Sequence, residues 1–118
     1  MHLPKVNNNT ELLSQIDQTS LYKDLVNQLN KDFEVIGTDV NFSETETPQY
    51  LFEFLQEVIS TLLEKQFDVF LNLLYRIDIN EHQIKTIINQ ITEDTEQQIA
   101  FLILKREWKK VWFRKYYS

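Results

Sequence analysis

The chain has 118 residues, of which 42% are hydrophobic and 13% aromatic, with one glycine, two prolines and no cysteine. This length supports one domain with a core and is too short for two, so we expect residues 1–118 to form a single domain. Scarce glycine and proline disfavour sandwiches and barrels, and the lack of cysteine excludes disulfides, thiolate metal sites and cysteine nucleophiles. We therefore expect an all-α bundle of four long helices plus a short N-terminal helix.

Charge is distributed unevenly along the chain. The formal net charge is −6, but residues 1–104 hold 17 acidic and 6 basic side chains, whereas residues 105–118 hold 6 basic side chains and one acidic side chain. Charge asymmetry of this kind is a guide to partners, so the C-terminal segment is the first place to look for a binding surface.

No stretch of the sequence has the character of a membrane span. The longest apolar run, residues 99–104, falls far short of the roughly 20 residues that a spanning helix needs. Residues 1–10 lack the apolar stretch of a signal peptide. We therefore expect a cytoplasmic protein.

The first third of the chain predicts a short helix and a longer one. Residues 1–9 are polar and are expected to be disordered. The apolar residues that follow form two sets, around Leu12 and from Leu21 onward, which would point about 150° apart on one helix. We therefore place a break at residues 17–20. The caps expected for the second helix are Thr19 or Ser20 at its start and Gly37 after its end.

Residues 38–46 carry turn-forming side chains and predict a loop. Val40 and Phe42 alternate within it and are expected to pack against the bundle. A strand is disfavoured because no second strand pattern could pair with it.

The next segment predicts the central helix, at about residues 48–77. Thr47 can cap its first turn and Pro48 suits its first position. The apolar stripe thins at residues 64–66, where a bend fits the pattern. Its apolar arc is broad enough to touch several helices. The opposite side carries an acidic ridge, which we expect to be solvated: Glu53, Glu57, Glu64 and Asp68.

Two more helices complete the prediction. Residues 80–91 place four isoleucines at helical spacing, with Asp78 or Asn80 as the cap. Residues 92–115 begin with an acidic turn of the kind that the helix dipole favours. The four isoleucines are Ile84, Ile87, Ile88 and Ile91.

Known catalytic and ligand-binding patterns are missing from the sequence. Both histidines, His2 and His82, are expected to be exposed, and Ile79 stands where a Glu-x-x-His metal motif would need glutamate. One glycine rules out a Gly-rich phosphate loop, and no Gly-x-Ser-x-Gly elbow occurs. We therefore expect no enzyme activity, no metal, no cofactor and no small-molecule substrate.

The C-terminal segment combines basic and aromatic residues, and four interpretations stay open. The tryptophans could complete the core, with the cations facing water. The aromatic end could instead bind a protein or a second copy of the chain. Binding to nucleic acid is disfavoured by the acidity of the remaining chain, and an anionic membrane surface requires exposed tryptophans. The candidate interaction surface comprises Lys105, Trp108, Lys109, Trp112, Arg114 and Tyr116.

These observations favour a non-enzymatic protein that acts through protein–protein contact. We interpret it as an adaptor or regulatory module, with a homodimer as one form. The alternative is a nucleic-acid-binding module that uses the basic, aromatic C-terminal helix.

Overall fold

The computed structural model describes residues 6–90 and 93–117. The described residues form helices and loops without any strand, which confirms the predicted all-α class. The predicted count of four long helices and one short helix is wrong, because six helices occur in the described ranges. They are α1 (Asn9–Asp17), α2 (Tyr22–Val35), α3 (Pro48–Lys65), α4 (Phe67–Ile77), α5 (Glu81–Asn89) and α6 (Thr95–Tyr117).

The predicted central helix is divided at Gln66, where the sequence allowed for a bend. Gln66 leaves the helical conformation, with φ −142° and ψ 58°, and separates α3 from α4. The apolar residues of α4 would be rotated by about 65° from those of α3 on one straight helix. The interruption turns both apolar faces toward the core.

The helix that organises the fold is α6, which packs against each of the other five helices. Its buried residues include Ile99, Ala100, Ile103 and Leu104, from the part of the chain that is apolar on every side. The prediction that residues 48–77 form the central helix is thus wrong, because α6 has that place. No described helix is long and apolar enough to cross a membrane.

The N-terminal helices begin differently from the prediction. Val6 is buried and the Asn8 side chain caps α1, so residues 6–9 are ordered. Disorder of residues 1–5, and the predicted roles of Ile91 and Thr92, lie outside the described residues. Neither Thr19 nor Ser20 occupies the cap position of α2; Leu21 does, without a side-chain cap.

The loop between α2 and α3 is held by one side chain. Asn30 donates to the carbonyl oxygen of Phe42 at 2.9 Å and accepts from the Phe42 amide at 2.7 Å. Phe42 is buried, and its ring meets Phe33 and Phe54 edge-on at centroid distances of 5.1 and 5.4 Å. The prediction that Phe42 packs into the bundle is confirmed.

Gly37 ends α2 in a conformation that other residues adopt with difficulty. Its φ is +89°, and a Cβ added there would meet nothing within 4 Å. Gly37→Ala should therefore lower the free energy of unfolding by about 1–2 kcal/mol through backbone strain alone. Gly37→Asn is the control and should cost less, because asparagine tolerates positive φ. Urea unfolding measures both, and equal stability of Gly37→Ala and wild type would contradict the explanation.

Candidate functional site: the two sides of the last helix

The structure divides the six residues of the predicted interaction surface between the core and solvent. Trp108 and Trp112 are 1% and 4% exposed, so both belong to the core and neither offers a surface to a partner. They lie inside because α6 runs through the bundle among five helices. Arg114 donates from Nη2 to Oε1 of Gln28 on α2, at 2.6 Å. The remaining three lie on the outer side of α6: Lys105, Lys109 and Tyr116.

On its inner side, α6 buries a carboxyl group against another from α2. Asp32 and Glu107 are both 0% exposed. On α2, Asp32 lies at the edge of the apolar face formed by Leu25, Leu29 and Phe33, about 20° from Leu25. Two adjacent carboxyl groups cannot both be ionised cheaply away from water, so their hydrogen-bond partners decide their charge.

Asp32 receives most of the available donors. Arg76 Nε lies 2.8 Å from Oδ1, and Gln28 Nε2 donates to Oδ2 at 3.1 Å. Lys110 Nζ lies between the two acids, 3.7 Å from Oδ2 of Asp32 and 3.3 Å from Oε1 of Glu107. Neither oxygen of Glu107 accepts a hydrogen bond within the described part of the chain. Protonation gives Glu107 an O–H that can donate to Asp32.

The two pKa values are therefore driven apart. Burial raises the pKa of Asp32, but hydrogen bonds from Glu107, Gln28 and Arg76, together with the charge of Lys110, outweigh burial and lower it. Burial raises the pKa of Glu107, and the hydrogen bond to Asp32 and the Asp32 charge add to the rise, to about 9. At neutral pH the pair holds one proton, on Glu107, and one negative charge, on Asp32.

This carboxyl pair has a structural role, since it links α2 to α6, and it offers no reaction site in this structure. Both side chains are completely buried, so a substrate could reach neither without separating α2 from α6. The sequence contained two signals for it that our sequence analysis missed. Asp32 is an acid on the apolar face of α2, and Glu107 is the one acid among the basic residues 105–118.

On its outer side, α6 ends in a cluster of aromatic rings, which we call the aromatic end: Phe113, Tyr116 and Tyr117. These side chains are 44%, 43% and 53% exposed. Their ring centroids lie 5.8, 4.6 and 6.0 Å from that of the buried Trp112. The buried Trp112 ring thus contacts all three exposed rings and keeps them close to one another.

A lysine lies beside the aromatic end. Lys109 and Phe113 lie one turn apart on the same side of α6, whereas Arg114 and Lys115 line a small pocket with Asp24 of α2. Phe113 and Tyr117 also contact each other, at a centroid distance of 5.2 Å. Exposed rings of this size beside a cation have the composition of a binding hot spot with a charged rim.

The described residues contain no candidate metal site. No group of three or more histidine, cysteine, aspartate or glutamate side chains in residues 6–90 and 93–117 is placed to hold a metal ion. His82 is exposed, as predicted, whereas His2 lies outside these ranges. Comparison of the chain with protein-family models, with curated proteins and with solved structures finds no match in any of the three.

Proposed function

We propose that the protein is a non-enzymatic interaction module whose docking surface is the aromatic end of α6. The observation that carries the proposal is the exposure of three adjacent aromatic side chains, Phe113, Tyr116 and Tyr117, at one end of a helix. Exposed single aromatics are ordinary, but a contiguous group with a charged rim is characteristic of a contact surface. The cytoplasmic location remains part of this proposal, on the sequence argument alone.

The partner that the charges favour is a second copy of the chain. The C-terminal segment is strongly basic, so the complementary surface must be acidic. The exposed start of α3 has that chemistry, because Tyr50, Glu53 and Glu57 share one side of the helix. Tyr50 is 50% exposed and stacks on Phe54 at a centroid distance of 6.5 Å. Each molecule thus carries an aromatic surface with cations and an aromatic surface with carboxylates.

Contact between these two different surfaces is heterologous. When one such contact joins each pair of molecules, it produces rings or open chains, and when both surfaces of each molecule engage the same partner, it closes a two-fold dimer. Its ionic rim should make the association weaker as the salt concentration rises. A dimer that paired the two basic ends with each other would instead suffer charge repulsion.

Sedimentation velocity over a wide concentration range tests the proposal. Wild-type protein should form larger species on concentration, and Phe113→Ser with Tyr117→Ser should keep it monomeric because the hot spot is removed. The control is Val35→Ser with Tyr75→Ser, since both side chains are exposed, at 58% and 73%, and lie outside the surface. The control should associate like wild type.

Two results would contradict the proposal. One is a wild-type protein that stays monomeric at every concentration, and the other is equal association of the two double variants. Monomeric protein that binds a single-stranded oligonucleotide would favour the nucleic-acid module in its place. That binding should then be lost when Lys105 and Lys109 are replaced by glutamine.

A further inference from the structure

A second surface feature of α6 lies upstream of the aromatic end and shares one residue, Lys109, with its surroundings. A pocket of about 330 Å³ opens between the start of α5 and the middle of α6. This volume is within the range of about 300–1,000 Å³ that small-molecule sites occupy. Its wall includes Asn80, Gln83, Lys105, Arg106 and Lys109.

Four of the six cations of α6 fall into two groups with different surroundings. Lys110 and Arg114 are engaged by the buried carboxyl pair and by Gln28. Lys105 and Lys109 are partly buried in the pocket wall, and neither forms a salt bridge with an acid of the described ranges. The fold therefore accounts for the first group and leaves the second without an anionic partner.

Arg106 is neutralised only weakly. Its Nη2 lies 3.5 Å from Oδ2 of Asp78, whose side chain is 87% exposed. An exposed pair at this distance contributes little and is easily exchanged for another anion. Lys105 lies over the Phe101 ring, with Nζ 5.5 Å from the centroid, which helps to hold its charge at the pocket.

The net charge of the pocket indicates the charge that a ligand should carry. Three cations and one carboxylate leave a net charge of two positive, on a chain whose formal net charge is −6. A phosphate monoester carries about −1.5 to −2 at neutral pH, which matches this balance. A carboxylate or a sulfate ester supplies only one negative charge.

The start of α5 adds neutral hydrogen-bond donors. Oδ1 of Asn80 accepts from the backbone N–H groups of His82 and Gln83, at 2.9 and 3.4 Å. This cap uses the oxygen of Asn80 and leaves its amide NH₂ as a donor. Gln83 lines the same pocket and carries a second amide. Phosphate oxygens also accept bonds from neutral amides, which add to the stronger bonds from lysine and arginine.

An adjoining cavity provides room for the rest of a ligand. It has a volume of about 640 Å³ and shares Asn80, Gln83 and Leu102 with the basic pocket. Its wall combines amide side chains, among them Asn7, Asn8 and Gln97, with the apolar side chains of Ile87, Phe101 and Leu102. Amides suit a hydroxyl-bearing organic group better than an acyl chain.

We propose that the pocket between α5 and α6 binds the phosphate group of a soluble phosphate monoester, with a polar organic portion in the adjoining cavity. The cations that hold the phosphate are Lys105, Arg106 and Lys109.

The test is isothermal titration with ribose 5-phosphate, and with ribose and inorganic phosphate as parallel probes. Wild-type protein should bind ribose 5-phosphate more tightly than inorganic phosphate, and should not bind ribose. Lys105→Gln with Lys109→Gln should weaken binding by about tenfold or more, because two charged donors are lost. The matched control is Lys23→Gln with Lys31→Gln, which removes two exposed cations from α2 and should leave affinity unchanged.

Amide chemical shifts of the wild-type protein locate the site without any substitution. Ribose 5-phosphate should shift residues 78–83 and 102–109. Shifts confined to other residues, an equal loss of affinity in both double variants, or no binding of any phosphate probe would overturn the proposal. So would binding to vesicles that contain phosphatidic acid without binding to ribose 5-phosphate, since the phosphate source would then be a lipid headgroup.

Discussion

Replacing Glu107 by glutamine should make the protein more stable, and the gain should grow as the pH rises. Wild-type Glu107 is protonated in the native state up to a pKa of about 9, whereas the ordinary value is 4.5. Below 4.5 both states hold the proton, so the stability that Glu107 contributes is fully present. Between the two values the unfolded chain loses the proton first, and this stability is lost progressively until the pH passes about 9.

Glutamine reproduces the protonated carboxyl group without this cost. Its amide NH₂ can donate to Asp32, as the Glu107 O–H does. The stability difference between Glu107→Gln and wild type should widen by up to about 1.4 kcal/mol per pH unit within this window. Urea unfolding at a series of pH values measures it.

The control for this prediction is Glu57→Gln. Glu57 is exposed on α3, so its replacement should change stability by no more than about 0.5 kcal/mol. If the curves of Glu107→Gln and wild type run parallel from pH 5 to pH 9, then Glu107 is not the buried proton carrier that the structure indicates.

Replacing Asp32 by alanine should be strongly destabilising. The substitution removes the carboxylate that Arg76 contacts at 2.8 Å and that Gln28 and Lys110 also approach. Loss of one partner from a buried ionic group typically costs about 3–5 kcal/mol. We expect about 3 kcal/mol, because the Arg76 side chain is 35% exposed and can regain water. Chemical unfolding compares the variant with Asp24→Ala, an exposed site on the same helix that should change little.

The two substitutions should not be additive. Burial is the largest cause of the raised Glu107 pKa, and Asp32 adds to it, so removing Asp32 should lower that pKa and let Lys110 favour the ionised form. In the double variant no carboxylate remains for Arg76 or Lys110. Asp32→Ala should therefore cost more in the Glu107→Gln background than in wild type. Equal costs in the two backgrounds would show that the carboxyl groups do not share a proton.

The sequence predicted individual helices better than it predicted their arrangement. Local signals worked where one side chain decides the outcome, as with the cap at Thr47. For α5 the sequence left Asp78 and Asn80 open, and Asn80 is the cap whereas Asp78 ends α4. The break at Gln66 was suggested by the thinning apolar stripe, but the rotation between the two halves was the stronger signal. The central role of α6 was missed because its first half is apolar on every side and its second half is basic, so no single face stands out.

The buried carboxyl pair shows that sequence patterns do not predict which side chains of different helices meet. Asp32 lies on the apolar face of α2 and Glu107 on the buried side of α6, and each position is visible in the sequence. Their meeting depends on the packing of α2 against α6, which no local pattern determines. The tryptophans illustrate the same limit. Core and surface were both compatible with their spacing, and only the neighbours of α6 decide between them.

Mixing two charge-reversed variants tests the proposed docking surface most directly. One variant carries Lys109→Glu with Lys115→Glu in the C-terminal part of α6, and the other carries Glu53→Lys with Glu57→Lys on α3. Each variant alone should fail to associate because like charges then face each other. An equimolar mixture should associate, since the acidic end of one variant meets the basic α3 surface of the other. Sedimentation velocity measures the association. A mixture that remains monomeric, or either variant alone associating like wild type, would contradict the account.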